Sequence, residues 1–249
     1  MAMDRERAKQ WLDHLVLCAE RMAGRTIPAG TRFPTDEVWR DEAGNVLTRN
    51  ADGSARYVMV QFERPMMEAV ADVCCRNGGD VLNVGFGCGL VDEAIQRRGV
   101  EGHVIVEAHP TVIEWMHQGG WDKRRGVEIV HSAWEDVRWN DYHQRFDGVF
   151  FDTYPYGSGR QWDQLLWHEC VHRILKPVTG VLVMYGVGWT SEAVDRLVGG
   201  FWRDDVTVGW TRCTVEVPFE IPEWRKLGVG THEIAIPYLS LQPKGARHA

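Results

Sequence analysis

A chain of 249 residues with 44% hydrophobic and 25% charged positions can bury one substantial core, and these proportions speak against a second full domain, disorder or a fibre. The net charge of −7 leaves no cationic footprint for nucleic acid or for an anionic membrane face, so a small molecule or another protein is the expected partner. No apolar run is long enough to span a bilayer, and the opening MAMDRERAKQ lacks the apolar stretch of a secretory signal, which together predict a soluble protein of the cytoplasm.

In chain order, residues 4–23 carry the pattern of an amphipathic helix. Asp4 stands at the cap, Trp11, Leu12, Leu15, Val16, Ala19 and Met22 follow helical spacing, and Gly24 is the stop. Such a helix either packs on the domain, the default, or mediates a homodimer. From 25 to 58 the chain reads as irregular, a lid or loop with turns at Gly44-Asn45 and Asp52-Gly53. A second helix is predicted over 63–77, closed by Gly78-Gly79. The chain thus divides into an N-terminal helix with a lid-like segment, 1–58, and a main domain, 59–249.

Five short apolar runs follow, at 80–84, 103–107, 127–131, 146–152 and 180–185, separated by segments that hold helices. This alternation indicates βαβ units and an α/β, Rossmann-like parallel sheet with helices on both faces. Two long strands close the chain, 206–217 and 232–241, with no helical pattern between them, so they pair antiparallel. The six cysteines are scattered and read as small core residues of a reducing compartment. His168 and His172 stand four apart without a third ligand nearby, and no metal site is expected.

The chemistry concentrates at the strand ends. Gly85-Phe86-Gly87-Cys88-Gly89-Leu90 directly follows the first strand and opens a helix, where glycines permit a tight turn and close approach to a ligand. Leu90 occupies the place of the third glycine of a dinucleotide fingerprint, which argues against a dehydrogenase. Glu107 ends the second strand, 22 residues after Gly85, where a carboxylate can accept both hydroxyls of a ribose. Trp134 and Glu135 follow the third strand, and the tryptophan there either stacks on a ligand or packs. Asp152 ends the fourth strand, beside the aromatic and proline-bent run Thr153-Tyr154-Pro155-Tyr156. Glu63, taken alone, reads as a helix N-terminal charge.

Phe62-Glu63-Arg64-Pro65-Met66-Met67, the glycine loop, Trp134-Glu135-Asp136-Val137, Phe146-Asp147-Gly148, Asp152-Thr153-Tyr154-Pro155 and Arg173-Ile174-Leu175-Lys176-Pro177 recur in the order and spacing of the guanidinoacetate N-methyltransferases. The chain resembles that family over about residues 57–189. The resemblance implies a class I S-adenosylmethionine (SAM)-dependent methyltransferase domain in 59–249. Gly85, Phe86, Gly87, Cys88, Gly89 and Leu90 would then hold the methionine part of the cofactor. Glu107, with Ala108 and His109, would meet its ribose, and Trp134 and Glu135 its adenine. Met59 and Met67 would line the cofactor. Glu63 and Asp152 would grip the guanidinium of a small-molecule acceptor, with Tyr154, Val187, Gly188 and Trp39 completing the pocket.

A guanidinium is planar and cationic, with forked N–H donors that one carboxylate meets bidentately. Its pKa exceeds ~12, so the attacking nitrogen must lose a proton near the moment of transfer; the expected acceptor is Asp152, with Glu63 orienting. The loops at 156–162 and 185–189 depart from the family pattern at the end that reads the rest of the acceptor. Guanidinoacetate, arginine, agmatine or a related metabolite therefore all stay open, and the rival readings are a protein arginine N-methyltransferase and an inactive SAM-binding protein.

Overall fold

The computed structural model describes residues 37–50, 52–153, 173–185, 190–198, 206–221, 224 and 227–241, without the side chains of 135, 184, 193 and 196–198. All belong to one compact unit, Phe33–Ala249. The helix expected over 4–23 lies outside the described residues.

The stretch 37–59, expected as irregular, is instead an antiparallel meander of β1 (Val38–Arg40), β2 (Val46–Arg49) and β3 (Ala55–Met59). Its two turns fall at the expected places, with Gly44 at φ 82 and Gly53 at φ 83. Strands of three to five residues are too short to display a period of two, which is why the sequence reads as loop. The first turn is tied onward: Asn45 Oδ1 accepts the Gln61 N–H at 2.8 Å, and Gln61 Nε2 donates to the Gly44 carbonyl at 2.8 Å.

A single 3-10 turn, Gln61–Glu63, leads into α1 (Arg64–Cys74). Pro65 sits in the first helical turn, where a missing N–H leaves no acceptor wanting. The helix buries Met66, Met67, Ala69, Val70, Ala71, Val73 and Cys74.

Seven strands make the main sheet, in the order β6-β5-β4-β7-β8-β10-β9. They are β4 (Asp80–Val84), β5 (Gly102–Glu107), β6 (Val127–His131), β7 (Gly148–Phe151), β8 (Val181–Met184), β9 (Val206–Val217) and β10 (Gly230–Leu241). The first five are parallel, and the terminal pair is antiparallel, as the pattern predicts. Helices α2 (Leu90–Arg97), α3 (Pro110–Gln118) and α4 (Ser191–Val198) fall between strands.

Period-two alternation splits the core. Val81, Phe150, Val181 and Val183 join α1 and α2 on one face, whereas Leu82, Val84, Val149, Phe151 and Leu182 join Ile174, Val194 and Trp139 on the other. Both faces are dry, so each central strand reads as a continuous apolar run. At the amino edge, Asp147 binds Lys176 Nζ at 2.6 Å, Thr179 Oγ1 at 2.8 Å and the Asp80 N–H at 3.2 Å, which locks β4 to β7.

The terminal hairpin is longer than the sheet it joins. β10 pairs with β8 over Tyr238–Ser240, while β9 and β10 stay paired from Val206 to Val217. Their far halves project beyond the carboxyl edge of β8, where Val215, Val217, Ile234 and Ile236 enter the same apolar cluster as Met66 and Met67. The hairpin thus walls the edge at which open α/β sheets bind ligands.

Candidate active site

Gly85 and Gly87 turn the chain out of β4 with φ of 98 and 57, values that L side chains rarely adopt. A Cβ on Gly85 would stand 2.0 Å from the Asp152 carbonyl oxygen, and one on Gly87 would stand 3.0 Å from Sδ and Cε of Met59. The loop is therefore threaded between the β7 end and Met59. Helix α2 then begins at Gly89 with no side-chain cap, so its first amide groups face the loop as donors. Leu90 and Phe86 are buried, and the Phe86 ring meets Trp121 edge-on at 5.1 Å.

The Glu107 carboxylate organises the next strand end. Its Oε2 accepts the Phe86 N–H at 2.9 Å and its Oε1 the His109 N–H at 2.7 Å, which couples β5 to the glycine loop. Burial raises its pKa, opposed by those backbone donors. A carboxylate has about four lone-pair sites, so each oxygen keeps capacity for a ribose hydroxyl. His109 caps α3, its Nδ1 accepting the Thr111 N–H at 3.2 Å, and Ala108 lies between the two. Trp134 packs edge-on against Phe151 at 5.4 Å. The uncapped helix start, the glycine turn and the buried acid together suit the carboxylate, methionine and ribose parts of SAM.

The two acids expected to hold the acceptor converge at this edge. Glu63 is 4% exposed at the start of α1. Its Oε1 accepts the Tyr185 hydroxyl at 2.7 Å and the Trp224 indole N–H at 2.9 Å. Asp152 follows β7, its N–H donating to the Val84 carbonyl at 3.0 Å. Burial, and then the charge of Glu63, raise the Asp152 carboxyl to about 8. Tyr185 is pushed well up by burial and by the charges of Glu63 and Asp152, so at neutral pH it is a hydroxyl donor. Cys88, in the glycine loop, is pushed up to about 12 by burial and by Glu63, which leaves it an inert thiol.

Among the predicted residues, the structure brings together Glu63, Asp152, Met59 and the glycine loop. Met67 is fully enclosed on α1. Trp39 lies on β1 with the Arg49 guanidinium over its ring at 5.0 Å. Tyr154, Val187 and Gly188 lie outside the described residues, and so does the Glu135 side chain. Sequence reasoning missed Tyr185 and Trp224. Tyr185 ends a strand, the same position that singled out Asp152, and was legible on that ground; Trp224 carried no signal. Among the described residues, no three His, Cys, Asp or Glu side chains gather as a metal site, and no helix is long and apolar enough to cross a membrane.

The sheet order, the glycine turn after its central strand and the acid at the next strand end define a class I SAM-dependent methyltransferase fold. The spermidine synthase of Thermotoga maritima shares that fold, with a TM-score of 0.54 and 16% identity over 84% of this chain and 72% of that one. Residues 38–191 match the family model for guanidinoacetate N-methyltransferase, and the chain belongs to that family of SAM-dependent N-methyltransferases. The match begins at β1, so the meander is part of the family's domain. Among curated relatives, protein arginine N-methyltransferase 2 of Saccharomyces cerevisiae is 32% identical over 201 residues, 76% of this chain and 47% of that protein. The protein of the same name from Candida glabrata is 28% identical over 190 residues, 72% of this chain and 44% of that one. The chain spans less than half the length of these two relatives.

Proposed function

We propose that this chain N-methylates the guanidino group of a small-molecule acceptor, with Asp152 as proton acceptor and Glu63 as the partner that orients the guanidinium. The observation that carries the reading is the convergence of these acids at the carboxyl edge, one after β7 and the other at the start of α1, beside the glycine loop. SAM, when bound, supplies the methyl group from a sulfonium sulfur. Glu63 and Asp152 hold the planar cation through its forked N–H donors, and their charge offsets the repulsion between two positive centres. The nitrogen's proton passes to the Asp152 carboxylate as the N–C bond forms. Fixing the nucleophile in line contributes a further large share of the rate.

Trp224 donates to Glu63 and both are buried, an enclosed arrangement that favours a small acceptor over a polypeptide. A second reading, methylation of arginine in a protein, is favoured by the names of the Saccharomyces and Candida relatives. Purified protein incubated with labelled SAM, guanidinoacetate, arginine, agmatine and an arginine-containing peptide separates the two, with product mass as the readout. Methylated free guanidines lost in Asp152→Asn and Glu63→Gln support the proposal. Methylation of the peptide alone, or full activity in both variants, overturns it.

A further inference from the structure

The guanidinium-gripping pair is asymmetric. Oε1 of Glu63 receives two neutral donors from separate elements: the Tyr185 hydroxyl from the end of β8 and the Trp224 indole from the connection between β9 and β10. These partners lie 122 and 161 positions away in the chain. Trp224 is 1% exposed and is itself held edge-on by Phe62 at 5.2 Å, the residue preceding Glu63. Ring, acid and hydroxyl are therefore joined by hydrogen bonds in a buried, close-packed setting. Among the described residues, Asp152 at the β7 end and the Cys88 thiol in the glycine loop also lie within reach of the Glu63 charge.

We infer that Tyr185 and Trp224 are positioning residues that fix the Glu63 carboxylate in the orientation in which it receives the guanidinium. The inference rests on the guanidino reading above. Two donors to one oxygen set the rotation of the carboxylate. A carboxylate so held orients the guanidinium without having to reorganise when the acceptor binds. The terminal hairpin thereby becomes part of the machinery: its overhang past β8 brings Trp224 down onto α1.

Trp224→Phe and Tyr185→Phe remove one donor each; Tyr185→Phe keeps its ring, whereas Trp224→Phe replaces the indole by a smaller one. In each variant the acceptor KM is expected to rise about tenfold or more, since a hydrogen bond to a charged group is lost. The dissociation constant for SAM should stay within about twofold, because the glycine loop and Glu107 are untouched. Tyr185→Phe is nearly isosteric and decides the matter if Trp224→Phe does not fold. Wild-type acceptor kinetics in Tyr185→Phe, or SAM affinity that falls in step with acceptor KM, overturns the inference. Glu63→Gln and Asp152→Asn run alongside: if they too retain full activity, the guanidino reading has failed rather than the positioning role alone.

Discussion

The carbonyl oxygen of Asp152 occupies the space a side chain on Gly85 would need, 2.0 Å from the position of its Cβ. The glycine loop and the Asp152 backbone are thus packed against each other, and neither can move alone.

Gly85→Ala should therefore damage both functions. The new methyl group meets the Asp152 carbonyl, and alanine is strained at a φ of 98. Strain of this kind costs on the order of 1–3 kcal/mol before any clash is relieved. Calorimetric titration with SAM and steady-state kinetics with the acceptor should both deteriorate. Unchanged SAM affinity would show that the loop lies elsewhere than argued.

Asp152 makes stability depend on pH in a defined direction. Its folded-state pKa, about 8, lies above the ordinary value of 3.8, so the native state binds the extra proton between those limits. The contribution is complete below pH ~4 and is lost as pH rises through 8. Asp152→Asn removes the need to bury that charge. Its Tm should exceed the wild type's at pH 9, by roughly 2–4 °C per kcal/mol recovered, with a smaller gap at pH 5. A gap that widens toward acid reverses the sign and refutes the account.

Activity follows the same group. The acceptor kcat/KM should fall on the acid side with a midpoint near pH 8, because it reports the unliganded enzyme's base. The corresponding limb of kcat should lie lower, since a bound cation favours the carboxylate. After burial, the charge of Glu63 is the second cause that raises Asp152, and Glu63→Gln removes it, so any residual activity should show its acid limb displaced to lower pH. A limb that stays in place in that variant argues against coupling of the two acids.

Another buried acid, Asp92 of α2, supports the loop. Its Oδ1 accepts Asn83 Nδ2 at 2.8 Å, and His103 Nε2 approaches the same oxygen at 3.1 Å, off the line of a hydrogen bond. Asn83 Nδ2 also reaches the Gly85 carbonyl at 2.9 Å. All three side chains have no solvent exposure. Asp92→Ala strands buried polar groups and should cost about 2–4 kcal/mol, lowering Tm by roughly 5–10 °C in a thermal melt. A melt unchanged by that substitution would mean the cluster does not hold the fold.

Much of this molecule was legible in one dimension. Runs such as Asp80–Val84 and Gly102–Glu107 are apolar because both sheet faces are covered, and glycines at 85, 87 and 89 mark a turn that other residues could not make. Strand, turn and helix signals are local, so the carboxyl-end residues Glu107 and Asp152 could be placed on the ligand edge before any coordinates. Short β1 to β3 escaped notice because their pairing, not their composition, makes them strands.

Tertiary structure alone decided the environment of the acids. Glu63 looked like an ordinary helix-start charge until the fold set Tyr185 and Trp224 against the same oxygen. Hydrogen bonds between residues more than a hundred positions apart leave no period and no motif in a sequence; they exist only once strand order and the overhang of the terminal hairpin have been chosen. Burial, which depends on every neighbouring element at once, and then the charge of Glu63 are what raise the Asp152 carboxyl to about 8.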